Sequence, residues 1–126
     1  MDFSESTEMY LEAILELEAK NNVVRSVDVA RFLGVSKPSV NRAMTNLKNE
    51  GYIRQEPYGD ISFTDKGRTK ASRIHELHHI ITDFLVSSLG ISPDLAEADA
   101  CRIEHVISPD VVQAMKAYNN KKERQP

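Results

Sequence analysis

Apolar positions first recur at helical spacing where Met9, Tyr10, Ala13, Ile14 and Leu17 form one stripe and Glu8, Glu12, Glu16 and Glu18 fall largely off it. That pattern predicts a helix capped by Ser6 or Thr7 and ended by Asn21-Asn22. Ser26 is placed to cap a second helix with Val27, Ala30, Phe32 and Leu33 on its apolar face, and Gly34 can take the left-handed conformation that stops it. Ser36 then caps a third helix with Pro38 in its first turn, where a missing N–H is harmless. Val40, Ala43, Met44 and Leu47 point inward along it. Two strand-like pieces, 52–55 and 61–64, flank the turn Pro57-Tyr58-Gly59-Asp60. Thr64 caps a long helix over 65–89 that Gly90 stops. Ser92-Pro93 and Ser108-Pro109 each put a capping Ser before Pro, predicting helices over 93–107 and 109–118 and a frayed polar tail from Asn119.

These elements predict a mainly α fold with a small β wing: an N-terminal winged helix-turn-helix, 1–70, followed by a helical dimerisation domain, 71–126. Leu77, Ile80, Ile81, Phe84, Leu85 and Leu89 make an apolar face wider than a winged domain of this size needs to cover, hence the expectation of a homodimer. A helix-turn-helix presents the N-terminal part of its second helix to a DNA major groove. Lys37, Arg42 and Lys48 suit phosphates, Asn41 suits a base edge, and Ser36, Pro38 and Ser39 lie at the helix start. Arg54 on the wing and Tyr58 at its tip are placed to reach a phosphate or a minor groove. A solvated basic helix in a protein-binding module is the competing reading.

Composition narrows the class. At 126 residues, with 40% hydrophobic and 28% charged residues, the chain is of ordinary globular make-up. No apolar run approaches the roughly 20 residues that span a bilayer, so no membrane partner is expected. The single cysteine excludes an intrachain disulfide, and the acidic start lacks a secretory pattern, so the expected location is cytoplasmic. Net charge is −3, yet Arg31, Lys37, Arg42 and Lys48 follow one another with no acidic residue between Arg31 and Lys48. A basic patch on an acidic chain fits a regulated DNA binder.

The chemistry-bearing stretch is Cys101-Arg102-Ile103-Glu104-His105. On a helix, Cys101, Glu104 and His105 stand at i, i+3 and i+4 and share one face. Thiol, carboxylate and imidazole together suit a borderline divalent metal, with other segments completing the shell. A buried Cys beside a solvated Glu and His is the alternative. Met9 and Glu12 also share a face, and three of the four histidines, His75, His78 and His79, crowd into the long helix. No Gly-rich phosphate loop or catalytic motif is present, so neither an enzyme nor a small-molecule substrate is expected.

Taken together, these residues resemble the diphtheria-toxin-repressor family of metal-activated repressors, with its iron-dependent and manganese-dependent branches. The resemblance rests on Thr7-Glu8-Met9-Tyr10-Leu11-Glu12, Ser36-Lys37-Pro38-Ser39-Val40, Phe63-Thr64-Asp65-Lys66-Gly67, His78 before Gly90, and Ala100-Cys101-Arg102-Ile103-Glu104-His105-Val106. It implies a primary metal site of Met9, Cys101, Glu104 and His105, with Cys101 binding through sulfur or its backbone carbonyl. It also implies His78 as a ligand in both branches, Glu97 at a second site of the iron branch, and Glu12 as a ligand of the manganese branch. Thr82 stands where the iron branch has a second-site carboxylate. The chain ending at Pro126 resembles a short form without the iron branch's third, β-barrel domain. The implied function is repression of metal-homeostasis genes at operator DNA, with Fe(II) favoured over Mn(II) because Met9 and Cys101 are soft donors, and Co, Ni or Zn able to substitute. The rival is a redox- or ligand-sensing winged-helix regulator using Cys101 without a metal.

Overall fold

The computed structural model describes residues 3–57 and 59–123. Its elements in order are α1 (Phe3–Asn21), α2 (Ser26–Leu33), α3 (Lys37–Asn49), β1 (Ile53–Gln55), β2 (Ile61–Phe63), α4 (Asp65–Leu89), α5 (Pro93–Ile103) and α6 (Pro109–Glu123). By its internal contacts the chain divides into two units, one up to Arg73 and one from Ile74.

The first unit is a winged helix-turn-helix. Leu11, Ile14, Val24, Val29, Val40, Met44 and Leu47 are nearly or fully buried and form its core, with Ile53, Ile61, Phe63 and Ala71 closing it. The apolar stripe does not by itself say where the first helix begins: α1 starts at Phe3, so Ser6 and Thr7 lie within it rather than capping it. Asn22 leaves α1 with φ 64°, and the helix ends at Asn21 as the Asn21-Asn22 pair predicts. At α2 the cap is Arg25, not Ser26, because the Ser26 hydroxyl accepts from Gln55 Nε2 at 3.0 Å. The Asp28 carboxylate instead accepts from the Arg25 N–H at 3.0 Å, satisfying a helix-start donor. Gly34 ends α2 at φ 66°, where any other side chain would meet the left-handed penalty of roughly 1–2 kcal/mol.

The wing is held at both ends. β1 and β2 pair antiparallel with Ile53 opposite Phe63 and Gln55 opposite Ile61, and the Ile61 N–H donates to the Val24 carbonyl at 2.7 Å. At its base, the Thr64 hydroxyl donates to the Gly51 carbonyl at 2.6 Å while accepting from the Gly67 N–H at 3.1 Å, so one residue caps α4 and ties it to the wing. Gly67 is required here: a Cβ at that position would lie 1.8 Å from the Tyr52 carbonyl oxygen. Between α1 and α4, Arg68 makes a two-pronged pair with Glu18, at 2.9 and 3.0 Å. The hydrogen bond, and then the charge, of Glu18 raises the Arg68 guanidinium further above its ordinary value.

The second unit comprises α4 from Ile74, α5 and α6. Ile81, Ala96, Ala100 and Val112 are buried, while Leu89, Leu95, Val106, Val111 and Tyr118 are exposed apolar side chains. Ser92 caps α5, accepting from the Leu95 N–H, with Pro93 in the first turn. Sequence periodicity extends this helix to 107, but it ends at Ile103. The Val106 and Ile107 N–H groups both return to the Ile103 carbonyl, and the chain must leave helical geometry before Ser108, which precedes a proline. The predicted frayed tail is instead helical to Glu123. Its polar side chains anchor it: Asn119 Nδ2 donates to the Ile80 carbonyl at 3.1 Å, and the Lys122 ammonium donates to the Ser87 carbonyl.

Gly67→Ala should lower stability by about 1–3 kcal/mol or more, the scale of forced overpacking, as read from the urea midpoint at constant slope. An unchanged midpoint would show that the close approach to Tyr52 does not constrain the fold.

Candidate metal centre and nucleic-acid interface

Glu104 anchors the candidate metal centre within the second unit. Its side chain is wholly buried, and it is the one buried charged residue of the described chain. One carboxylate oxygen, Oε2, lies 3.0 Å from His78 Nδ1. An ionised carboxylate only accepts, so His78 Nδ1 carries a proton and donates it to Oε2. The other oxygen, Oε1, lies 3.6 Å from His105 Nε2, beyond hydrogen-bonding reach. Oε1 makes no hydrogen bond among the described residues. Cys101 Sγ is within 4.8 Å of a Glu104 carboxylate oxygen, though the cysteine itself is exposed.

The local chain explains this convergence. Glu104 caps the C-terminus of α5 in right-handed geometry, its N–H bonded to the Ala100 carbonyl at 2.9 Å. The turn 104–106 therefore keeps helical spacing after α5 ends, and Cys101, Glu104 and His105 stay on one side of it. His78 arrives from the middle of α4.

An enclosed carboxylate oxygen without a donor is unfavourable unless a cation meets it. With metal–donor bonds of about 2.0–2.2 Å, two ligand atoms on one ion lie roughly 2.9–4.2 Å apart, and the 3.6 Å between Oε1 and Nε2 falls inside that span. The donor set and the orphaned oxygen thus fit a divalent transition metal. Glu97 is on α5 and exposed, not drawn into this cluster. Thr82 is half-buried with its hydroxyl lacking a partner among the described residues. Met9 and Glu12 belong to the first unit, both half-buried on α1.

The candidate nucleic-acid face is the exposed side of α3. Val40, Met44 and Leu47 are buried, so the same helical period leaves Lys37, Pro38, Ser39, Asn41, Arg42 and Lys48 exposed. Ser36 caps the helix: its oxygen accepts from the Ser39 N–H at 3.3 Å, and its hydroxyl donates to Ser39 Oγ at 2.8 Å. Ser36 is therefore engaged in capping, and Ser39 is the hydroxyl presented outward. Thr45 is exposed too, but its hydroxyl bonds back to the Asn41 carbonyl at 2.9 Å. Arg54 is exposed on β1, and Tyr58 lies outside the described residues. Asn46 is a further polar amide on the exposed face, one helical turn after Asn41 and Arg42. With Ser6, Thr7, Met9, Tyr10, Ser39 and Arg42 it lines a groove between α1 and α3.

Comparison with known proteins agrees with these features. Residues 2–61 match the model of the iron dependent repressor N-terminal DNA binding domain, and residues 64–126 match its metal binding and dimerisation domain. The chain is 33% identical over 119 residues to an uncharacterized HTH-type transcriptional regulator of Methanocaldococcus jannaschii, covering 94% of this chain and 95% of that protein. It is 35% identical over 109 residues to the transcriptional regulator MntR of Salmonella typhimurium, covering 86% and 69%. Among solved structures, T. acidophilum IdeR superposes with a TM-score of 0.77 at 25% identity, covering 86% of this chain and 51% of that one. The chain thus spans about half the length of that structure. Family models that together cover nearly the whole sequence place this chain in the iron-dependent repressor family, DNA-binding transcription regulators rather than enzymes, whose second domain binds metal and dimerises.

Proposed function

We propose that this chain is an Fe(II)-activated repressor of metal-homeostasis genes, acting as a homodimer on operator DNA in the cytoplasm. In this reading Met9, Glu12, Cys101, Glu104 and His105 hold the activating metal, so that residues 1–70 and 71–126 are coupled through it. The observation that carries it is the enclosed Glu104 carboxylate, with one oxygen on His78, the other without a hydrogen-bond partner among the described residues, and His105 beside it. Such a group is poorly satisfied by the protein alone. A bound divalent ion supplies the positive charge that Glu12 and Glu104 would share.

The residues divide the work. Glu104 Oε1 and His105 Nε2 are the inner donors of the second unit. His78, which holds Glu104 through Nδ1, is the residue of α4 assigned to an accessory ion, and Glu97 is exposed, where such an ion would be open to water. Met9 belongs to both settings: it is a donor here, and it lines the groove against Ser39 and Arg42 of α3. Holding Met9 and Glu12 therefore restrains α1 beside the helix that reads DNA. Without metal, Glu12 and Glu104 repel each other as like charges, and the DNA-competent arrangement is sparsely populated. Met9 and Cys101 are softer donors than carboxylates, which favours Fe(II) over Mn(II), the weakest binder of the divalent series.

Fluorescence anisotropy on a labelled promoter fragment, titrated anaerobically with Fe(II), with Mn(II) and with chelator, tests the reading. Tight binding should require metal, with Fe(II) acting at lower concentration than Mn(II); equal binding under chelator would make the metal irrelevant to DNA binding. His105→Ala should keep the helical circular-dichroism signal yet lose the metal-dependent gain in DNA affinity, a coupling of roughly 5–150-fold in typical allosteric proteins. A full gain in that variant would remove His105 from the site.

A further inference from the structure

We propose that α4 carries a second divalent-metal site at His75 and His79, whose two imidazoles are the donors from this helix. The two residues are one helical turn apart, and their Nε2 atoms face each other at 3.1 Å. Their rings are nearly perpendicular, at 89°, with centroids 4.4 Å apart. Metal–nitrogen bonds of about 2.0–2.1 Å, at angles of roughly 90–109°, place two ligand nitrogens about 2.9–3.4 Å from each other. The observed separation falls within that range, so one ion could join both lone pairs with little movement of either ring.

The surroundings single this pair out. Two ring nitrogens at 3.1 Å are compatible in the metal-free chain only if one keeps its proton and the other accepts it. His75 Nδ1 is buried and makes no hydrogen bond among the described residues, so the polar hold on this ring is His79 itself. His75 is half-buried, which restricts its rotamers and presets one ligand, whereas His79 is exposed and leaves the remaining coordination positions to water. His78, between them in sequence, turns its Nδ1 to Glu104. Neighbouring Glu76 pairs with Lys116 at 3.3 Å. The crowded histidines of α4 therefore fall into two sets, His78 with Glu104 and His75 with His79.

Donor chemistry sets the ligand. Two neutral imidazoles suit Zn(II), Cu(II), Ni(II) or Co(II) better than Mn(II), which lies lowest in the affinity order. An ion clipped across residues 75–79 would also hold that turn of α4 helical. The site thus separates metals by a rule different from that of the Glu104 centre, and it stands whether or not the Glu104 centre is the activating one.

The test is titration of the full chain with Zn(II) against a chromophoric chelator, in parallel with Mn(II), for the natural protein and for His79→Gln. The natural chain should take up one more Zn(II) than His79→Gln, whose remaining affinity at this position falls roughly tenfold or more, at least the scale seen when groups that only orient a ligand are removed. Mn(II) uptake, metal-dependent DNA binding and the helical circular-dichroism signal should be unchanged, and His75→Gln should reproduce the Zn(II) loss. Equal Zn(II) uptake by His79→Gln, or a loss confined to one of the two variants, would overturn the proposal. Loss of Mn(II) along with Zn(II) would also overturn it, by assigning His79 to the other centre.

Discussion

A carboxylate enclosed by protein is stable only when its oxygens are met, and Glu104 meets that condition by half. Its side chain is wholly buried. Oε2 has the His78 N–H, and Oε1 has no donor among the described residues. The features around it follow from keeping that group where it is. Glu104 caps α5 and opens the turn that holds His105 beside it. Ala96 and Ala100, on the same helix, are small and fully buried. An apolar residue of similar size would pack there at no electrostatic penalty. A buried charge kept at this position is better explained by a ligand it must hold than by stability.

The DNA-binding unit shows a matching economy. The residues that fill its core, Val40, Met44 and Leu47, fix which side of α3 faces out, and that side carries the basic and amide groups. Ser36 and Ser39 secure the start of the helix, where a major groove would be read. The wing is clamped at its base by the Thr64 hydroxyl, bonded to backbone groups of Gly51 and Gly67, and by the close approach of Gly67 to Tyr52. A regulator needs this rigidity.

Much of this was legible in the sequence because it depends on periodicity and on punctuation. The Gly34 stop, the Ser36 cap, the wing strands and the Ser92-Pro93 start are local signals, and the structure has them where the residues imply. The features that sequence misplaced depend on long-range partners. Ser26 reads as a cap until Gln55, 29 residues later, engages its hydroxyl. The tail after Tyr118 reads as frayed until Asn119 and Lys122 find carbonyls on α4. The triplet Cys101, Glu104 and His105 was visible as a face, but no local rule shows that Glu104 would be fully buried or that His78 would meet it. The facing of His75 and His79 was equally hidden, since spacing places two imidazoles on one side without orienting their nitrogens.

Reciprocity offers the most direct measurement. If the metal held by Glu104 and its neighbours selects the DNA-competent arrangement, operator DNA must in turn tighten metal binding by the same factor. Anaerobic calorimetry of Fe(II) binding, with and without saturating operator DNA, should show tighter binding in the presence of DNA, by roughly 5–150-fold. Identical Fe(II) affinities in the two titrations would contradict a coupling between the metal centre and the DNA-binding unit.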